Sequence, residues 1–135
     1  MTDVAALRAA YPGTLPQADE DALVVCIQET VNCAQACIAC ADTCSAYPSA
    51  AHLAQCAGSA LNCADMATAV VRVLSRPTAW DHDATVAALW ALEQTLRVCY
   101  RQCQKHAMDI RSCEVCADAC LRCGQRCKNL LRSLE

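Results

Sequence analysis

The stretch from Cys113 to Cys127 reads C-E-V-C-A-D-A-C-L-R-C-G-Q-R-C, five cysteines at intervals of 3, 4, 3 and 4. Residues three and four apart are neighbours on one face of an α-helix. The spacing is the a/d rhythm of a coiled-coil seam, with thiols where leucines normally sit. A second run, Cys26, Cys33, Cys37, Cys40 and Cys44, has intervals of 7, 4, 3 and 4. Cys56, Cys63, Cys99 and Cys103 complete a set of fourteen. One or two buried cysteines behave as small hydrophobes. Fourteen on one register need another reason, because Leu or Val would pack such a core better. Soft thiolates select Cu(I), zinc or iron–sulfur clusters.

Disulfides explain the pattern poorly. Helix neighbours sit about 5–6 Å apart at Cβ, whereas a disulfide needs roughly 3.5–4.5 Å. The N-terminus, M-T-D-V-A-A-L-R-A-A-Y-P, shows neither a basic n-region followed by a long apolar stretch nor a twin-Arg signal. The expectation is reduced thiols and a cytoplasmic location.

Ligand number and charge order the metals. Zinc takes four ligands in a tetrahedron at about 2.3 Å. Iron–sulfur clusters use runs such as C-x2-C-x2-C-x3-C, and a continuous rigid helix wraps a cube poorly. Cu(I) accepts two or three thiolates. A linear S–Cu–S unit spans roughly 4.5 Å, taking bonds near those of zinc, which suits thiols on one helix face or on facing helices. Unpaired thiolates in a dry lumen are strongly disfavoured. Monovalent ions, about one per thiolate, leave the filled lumen near neutral. Zinc with four unshared thiolates leaves two negative charges each time.

The elements that must position these thiols follow from composition and punctuation. In 135 residues there are 27 alanines, 3 Gly and 4 Pro, the composition of a helical bundle in one domain. The expected fold is all-α, an antiparallel up-down-up-down four-helix bundle with a short extra N-terminal helix. Residues 1–18 are read as that helix and a linker, and 19–135 as the cysteine-lined bundle. The short helix spans 2–10, started by Thr2 or Asp3. Asp19 caps a first long helix to about 46, with inward positions Leu23, Cys26, Thr30, Cys33, Cys37, Cys40 and Cys44. Ser49 caps a second to about Arg76, with the seam His52, Cys56, Ser59, Cys63, Met66, Val70 and Val73. Thr78 to Asp81 resembles a capping box before a third, with the seam Thr85, Leu89, Leu92, Leu96, Cys99, Cys103 and His106. Asp109 is the expected cap of the fourth, whose seam is Cys113, Cys116, Cys120, Cys123, Cys127, Leu130 and Leu134. Gly58 and Gly124 lie mid-helix, where they could permit close helix approach.

In that topology the thiols gather toward one end. Leu23, Val70, Val73, Leu89, Leu92, Leu130 and Leu134 close the other. Cys113 to Cys127 covers about 21 Å at 1.5 Å per residue. His52 and His106 fall at the thiol-lined mouth, as hydrogen-bonded core residues or as ligands that hand metal inward. Met66 is read as core, with a thioether ligand as the alternative. Met108, in the turn at the mouth, is a candidate weak ligand there. His82 belongs to the opposite end and the surface.

C-x3-C-x2-C-x3-C on the first long helix and C-x2-C-x3-C-x2-C-x3-C on the last, with cysteines on the helices between, resemble the bacterial copper storage proteins over residues 19–134. The resemblance implies many Cu(I) ions held by thiolates in the lumen, admitted at the end lined by His or Met. It implies a homo-oligomer, commonly a tetramer, in which residues 2–10 could take part. It is the cytosolic class that the missing signal sequence resembles. The middle helices carry only two cysteines each, so the expected capacity is lower, with a dry stretch at Leu92 and Leu96.

The net charge of −3, without a block of like charge, offers no electrostatic footprint for nucleic acid. The longest uncharged run, Thr43 to Ala64, is broken by Pro48, His52, Gln55, Gly58 and Asn62, and reads as a helix–turn–helix corner rather than a membrane span. No Ser–His–Asp set, carboxylate pair or phosphate loop is apparent, so no enzyme is expected. C-E-V-C and C-I-A-C match a redox C-x-x-C search without the βαβ context that motif requires. The reading is a Cu(I) storage and detoxification protein, with a copper chaperone as a possible partner. A zinc or mixed-metal buffer and a thiol redox protein are the rivals.

Overall fold

The computed structural model describes residues 2–48 and 50–135, with the backbone alone at Ala50. The described residues form helices α1 (Val4–Ala9), α2 (Glu20–Ser45), α3 (Ala54–Leu74), α4 (His82–Gln104) and α5 (Arg111–Ser133). Short 3₁₀ turns at Ala50–Leu53 and Pro77–Ala79 lead into α3 and α4. Helix α2 packs on α3 and α5, and α4 on the same two. Consecutive long helices are therefore neighbours, and the ring of four closes round a common lumen, as short connections dictate.

Caps set the starts of three helices. Asp3 accepts from the Ala6 N–H at 2.9 Å, Asp19 from Ala22 at 3.1 Å and Asp81 from Ala84 at 2.8 Å. Such caps satisfy N–H groups that have no intrahelical partner. Asp81, rather than Thr78, starts α4, because Pro77–Ala79 is itself a 3₁₀ turn. Asp109 does not cap α5. The N–H groups of Asp109 and Ile110 both donate to the His106 carbonyl, at 3.1 and 2.8 Å, so Asp109 is still within the turn. Ile110 takes the cap position and buries its side chain. The expected cap at Ser49 lies outside the described residues.

The expected seams of α2 and α5 are buried throughout, and that of α4 is buried from Thr85 to Cys103. The seam of α3 differs. Its buried residues are Cys56, Ala60, Cys63, Ala64, Ala67, Val70 and Leu74, with Leu53 in the turn before it, whereas Val73 is exposed and Ser59 and Met66 are half-buried. Cys56, Cys63 and Val70 repeat every seven residues and fix the face. The position between each pair can fall three or four residues on, and an ideal helix drifts about 20° per heptad. The small alanines take those intermediate places, and Leu74 completes the apolar base.

Helix α1 is tied to that base. Arg8, 5% exposed, pairs through Nε and Nη2 with the Glu20 carboxylate and donates from Nη1 to the Leu74 carbonyl at 3.3 Å. The Tyr11 and Thr78 hydroxyls meet at 2.9 Å. Gly58 and Gly124 do not mediate close approach, since a Cβ built at either meets nothing within 4 Å. Helix α2 is long and apolar enough to cross a membrane by length and composition, with a mean hydropathy of 1.5 in its best window. Cysteine and alanine supply much of that value, and its thiol face is buried against α3 and α5.

Candidate metal centre

All fourteen cysteines are free and buried. The seams of four helices aim them inward, and they form one connected column of sulfur. Cys56 on α3 lies 3.7 Å from Cys103 on α4 and 4.0 Å from Cys113 on α5. Cys113 touches Cys40 and Cys44 of α2, each at 3.9 Å. Further in, Cys116 approaches Cys37 to 3.6 Å and Cys99 to 3.8 Å. Cys33 meets Cys120 at 3.9 Å. At the deep end Cys26 and Cys127 are 3.9 Å apart.

Four sets of sulfurs lie within 4.8 Å of one another. They are Cys40, Cys44, Cys56 and Cys113; Cys40, Cys103 and Cys116; Cys37, Cys99, Cys116 and Cys120; and Cys33, Cys37, Cys63 and Cys120. Cys40, Cys116, Cys37 and Cys120 each belong to two sets, so the sets run into one another. Bonds of about 2.3 Å place sulfurs roughly 4 Å apart in a trigonal site, close to the separations observed. Cys26, Cys123 and Cys127 continue the column beyond these sets, beside Thr30. The Thr30 hydroxyl donates to the Cys26 carbonyl at 2.6 Å and lies 3.4 Å from the Cys123 sulfur.

The dry lumen controls protonation. Burial first, then the charge of Cys40, push the Cys44 and Cys113 thiols up. At Cys56 a hydrogen bond from Cys103 opposes the shift, but the bond to Cys40 and burial carry it up to about 12. Cys120 is raised through its bonds to Cys116, Cys33, Cys37 and Cys63. Donors have the reverse effect on a thiolate. Cys63 falls to about 5 through Cys120, Cys33 and Cys37, and Cys123 to about 4 through Cys127 and Cys33.

His52 and His106 come together at the mouth, with ring centroids 5.8 Å apart in an edge arrangement. His106 is half-buried, whereas His52 is exposed, because Leu53 occupies the seam position expected of it. Met66 lies outside the lumen and packs half-buried against the core, where Ala67 holds the inward place. Met108 is 99% exposed in the turn before α5. His82 is on the surface at the opposite end, where Nε2 donates to the Leu134 carbonyl at 2.7 Å. That bond, and then Asp83, raise its pKa. Sequence reasoning missed Leu53 and Ile110, which are buried in the turns before α3 and α5, and Glu93, which is 2% exposed on α4. Leu53 is an ordinary apolar residue one place beyond the expected His52, and Ile110 one place beyond the expected cap Asp109; nothing in the local pattern marks Glu93.

A four-helix bundle whose lumen is a column of reduced thiols defines a container for soft metal ions. The sequence matches the copper storage protein family over residues 19–132, and the chain belongs to that family. It is similar to a copper storage protein, Ccsp, from Streptomyces lividans loaded with 10 copper equivalents. The identity is 42% and the TM-score 0.94, over 96% of this chain and 98% of that one. A histidine-to-alanine variant of Streptomyces lividans Ccsp matches at 42% identity and a TM-score of 0.86, over 89% of this chain and 100% of that one. The Streptomyces lividans cytosolic copper storage protein with five coppers matches at 43% identity and a TM-score of 0.81, covering 83% and 93%. No curated protein matches.

Proposed function

We propose that this protein stores and detoxifies Cu(I) in the cytoplasm, holding many ions on the fourteen cysteine thiolates of its lumen. The observation that carries this reading is the continuity of the sulfur column. Closing every set as a four-thiolate zinc site would require bridging at Cys37, Cys40, Cys116 and Cys120, and the set of Cys40, Cys103 and Cys116 offers only three sulfurs. Two- and three-coordinate Cu(I) with bridging thiolates can use every sulfur. Residues 19–135 are the storage unit, with 1–18 appended. His52 and His106 admit copper, delivered by a copper chaperone, and Met108 is a weak ligand beside them. The role is binding rather than catalysis. The likeness to Streptomyces lividans Ccsp supports the cytosolic setting, and the family resemblance supports a homotetramer.

Anaerobic titration with Cu(I) against a competing chelator, repeated with Zn(II), tests the reading. Storage predicts tight uptake of many Cu(I) per chain. Zinc saturation at a few ions with weak copper binding would instead identify a zinc buffer. Catalytic disulfide exchange without uptake of either metal would identify a redox protein.

A further inference from the structure

A small cavity of about 100 Å³ opens through the α4–α5 wall, away from the histidine mouth. Its lining includes Glu93 and Arg97 of α4, and Cys120, Gly124 and Lys128 of α5. Three features set it apart from a packing gap. Of the fourteen cysteines, all among the described residues, Cys120 alone has any exposure, 2% against 0% for the rest. Gly124 leaves the way to it open, since an added Cβ would meet nothing within 4 Å. Glu93 is 2% exposed, yet its Oε2 has no hydrogen-bond partner among the described residues. Its Oε1 takes both neighbouring cations, Arg97 at 2.9 Å and Lys128 at 3.7 Å.

A buried acceptor without a donor is costly, and here it belongs to a residue that lines a cavity also bordered by two cations and by Cys120. That set matches a zwitterionic small thiol. An ammonium group is drawn to the Glu93 carboxylate, a carboxylate meets Arg97 and Lys128, and the sulfur faces Cys120. The volume holds several waters at about 10–15 Å³ each, or one molecule of amino-acid size. We propose that this cavity is a side port at which a low-molecular-weight aminothiol bearing a carboxylate binds and withdraws Cu(I) from Cys120. The incoming sulfur bonds to Cu(I) as the Cys120–copper bond breaks, and its proton passes to the Cys120 sulfur. Copper stays monovalent and no electrons are transferred. The port rests on the storage reading for its copper step but not for its access to Cys120.

Two experiments on the full chain separate these parts. The reduced, copper-free protein is treated with methyl methanethiosulfonate, a small thiol reagent, and mapped by mass spectrometry. The port predicts that Cys120 is labelled first and that Gly124→Leu, which fills the cavity, slows that labelling at least tenfold. Labelling of Cys44 or Cys113 ahead of Cys120, or an unchanged rate in the variant, overturns the port whatever the metal affinity. The copper-loaded protein is then challenged with free cysteine, with 3-mercaptopropionate, which lacks the ammonium, and with a bulky aromatic Cu(I) chelator. Gly124→Leu is expected to slow removal by cysteine at least tenfold while leaving capacity and removal by the bulky chelator unchanged. Glu93→Gln is expected to abolish the advantage of cysteine over 3-mercaptopropionate. Equal removal by cysteine in wild type and Gly124→Leu overturns the exchange step. A wild-type chain that labels at Cys120 but holds no Cu(I) overturns the exchange step together with the storage reading, and leaves the port as an access route.

Discussion

His52 and His106 stand edge to face at one end of the bundle, ring centroids 5.8 Å apart with planes at 69°. They come from different connections, His52 from the 3₁₀ turn before α3 and His106 from the turn after α4. The Cys40, Cys44, Cys56 and Cys113 set belongs to the same end, where Leu53 and Ile110 are also buried. A neutral imidazole can pass a soft ion between solvent and these thiols. Replacing both histidines by Ala is expected to slow Cu(I) loading roughly tenfold, equivalent to about 1.4 kcal/mol in the barrier, without lowering capacity. Stopped-flow transfer from a Cu(I) chelate measures the rate, and an unaltered rate removes the role.

The protonated lumen gives the metal-free protein an alkaline weakness. Cys44 and Cys113 are raised by burial, and Cys56 rises from 9.0 to about 12. A thiol raised by folding contributes stability that is complete below its unfolded value and is lost as pH climbs through its folded value. Cys63 and Cys123, lowered to about 5 and 4, have the opposite sign. Their contribution is lost only as pH falls below 9.0 toward those values, so it is constant above pH 9. The melting temperature of the reduced apoprotein should therefore fall between pH 9 and 12. The copper-loaded form, with thiolates already deprotonated, should fall much less. Parallel melts followed by circular dichroism compare them, and equal slopes would refute the linkage.

Gly58 lies in the interior of α3, exposed, with open space where a Cβ would stand. Glycine there carries backbone entropy without any close approach to justify it. Gly58→Ala should stabilise the apoprotein by about 0.4–1 kcal/mol and leave copper capacity unchanged. Chemical denaturation measures the gain, and a loss of stability would mean that the position is constrained in some other way.

The thiol face was legible because cysteine is rare and its intervals alternate three and four over whole helices. Asp19 was legible as a cap, and Asp3 as one of two candidates with Thr2, for the same local reason: an acceptor three residues before its N–H. The intermediate places of the α3 seam were not, because cysteines seven apart leave the residue between them open to either choice. Thus His52, Met66 and Val73 were each placed one position from the buried residues Leu53, Ala67 and Leu74. Asp109 failed as a cap because the His106 carbonyl draws in two successive N–H groups, a turn that composition does not announce. Glu93 was invisible for a different reason. A carboxylate beside apolar seam residues looks solvated until α5 brings Lys128 across to it.

Thr30 interrupts the thiol column between Cys26 and Cys33. It is fully buried, and its hydroxyl lies 3.9 Å from the Cys26 sulfur and 3.4 Å from that of Cys123. Those are separations at which the cysteines touch one another elsewhere in the lumen. A hydroxyl is a poor ligand for a soft ion, so beside Thr30 the link from Cys26, Cys123 and Cys127 to the rest of the column runs from Cys123 to Cys33. Thr30→Cys keeps the side chain small and gives up the 2.6 Å bond to the Cys26 carbonyl, a cost of about 1 kcal/mol in the apoprotein. In return it makes the deep end a four-thiol set continuous with Cys33. The variant should bind at least one more Cu(I) per chain in competition titrations, while melting slightly lower without copper. An unchanged capacity would mean that the deep cysteines already fill without help from position 30.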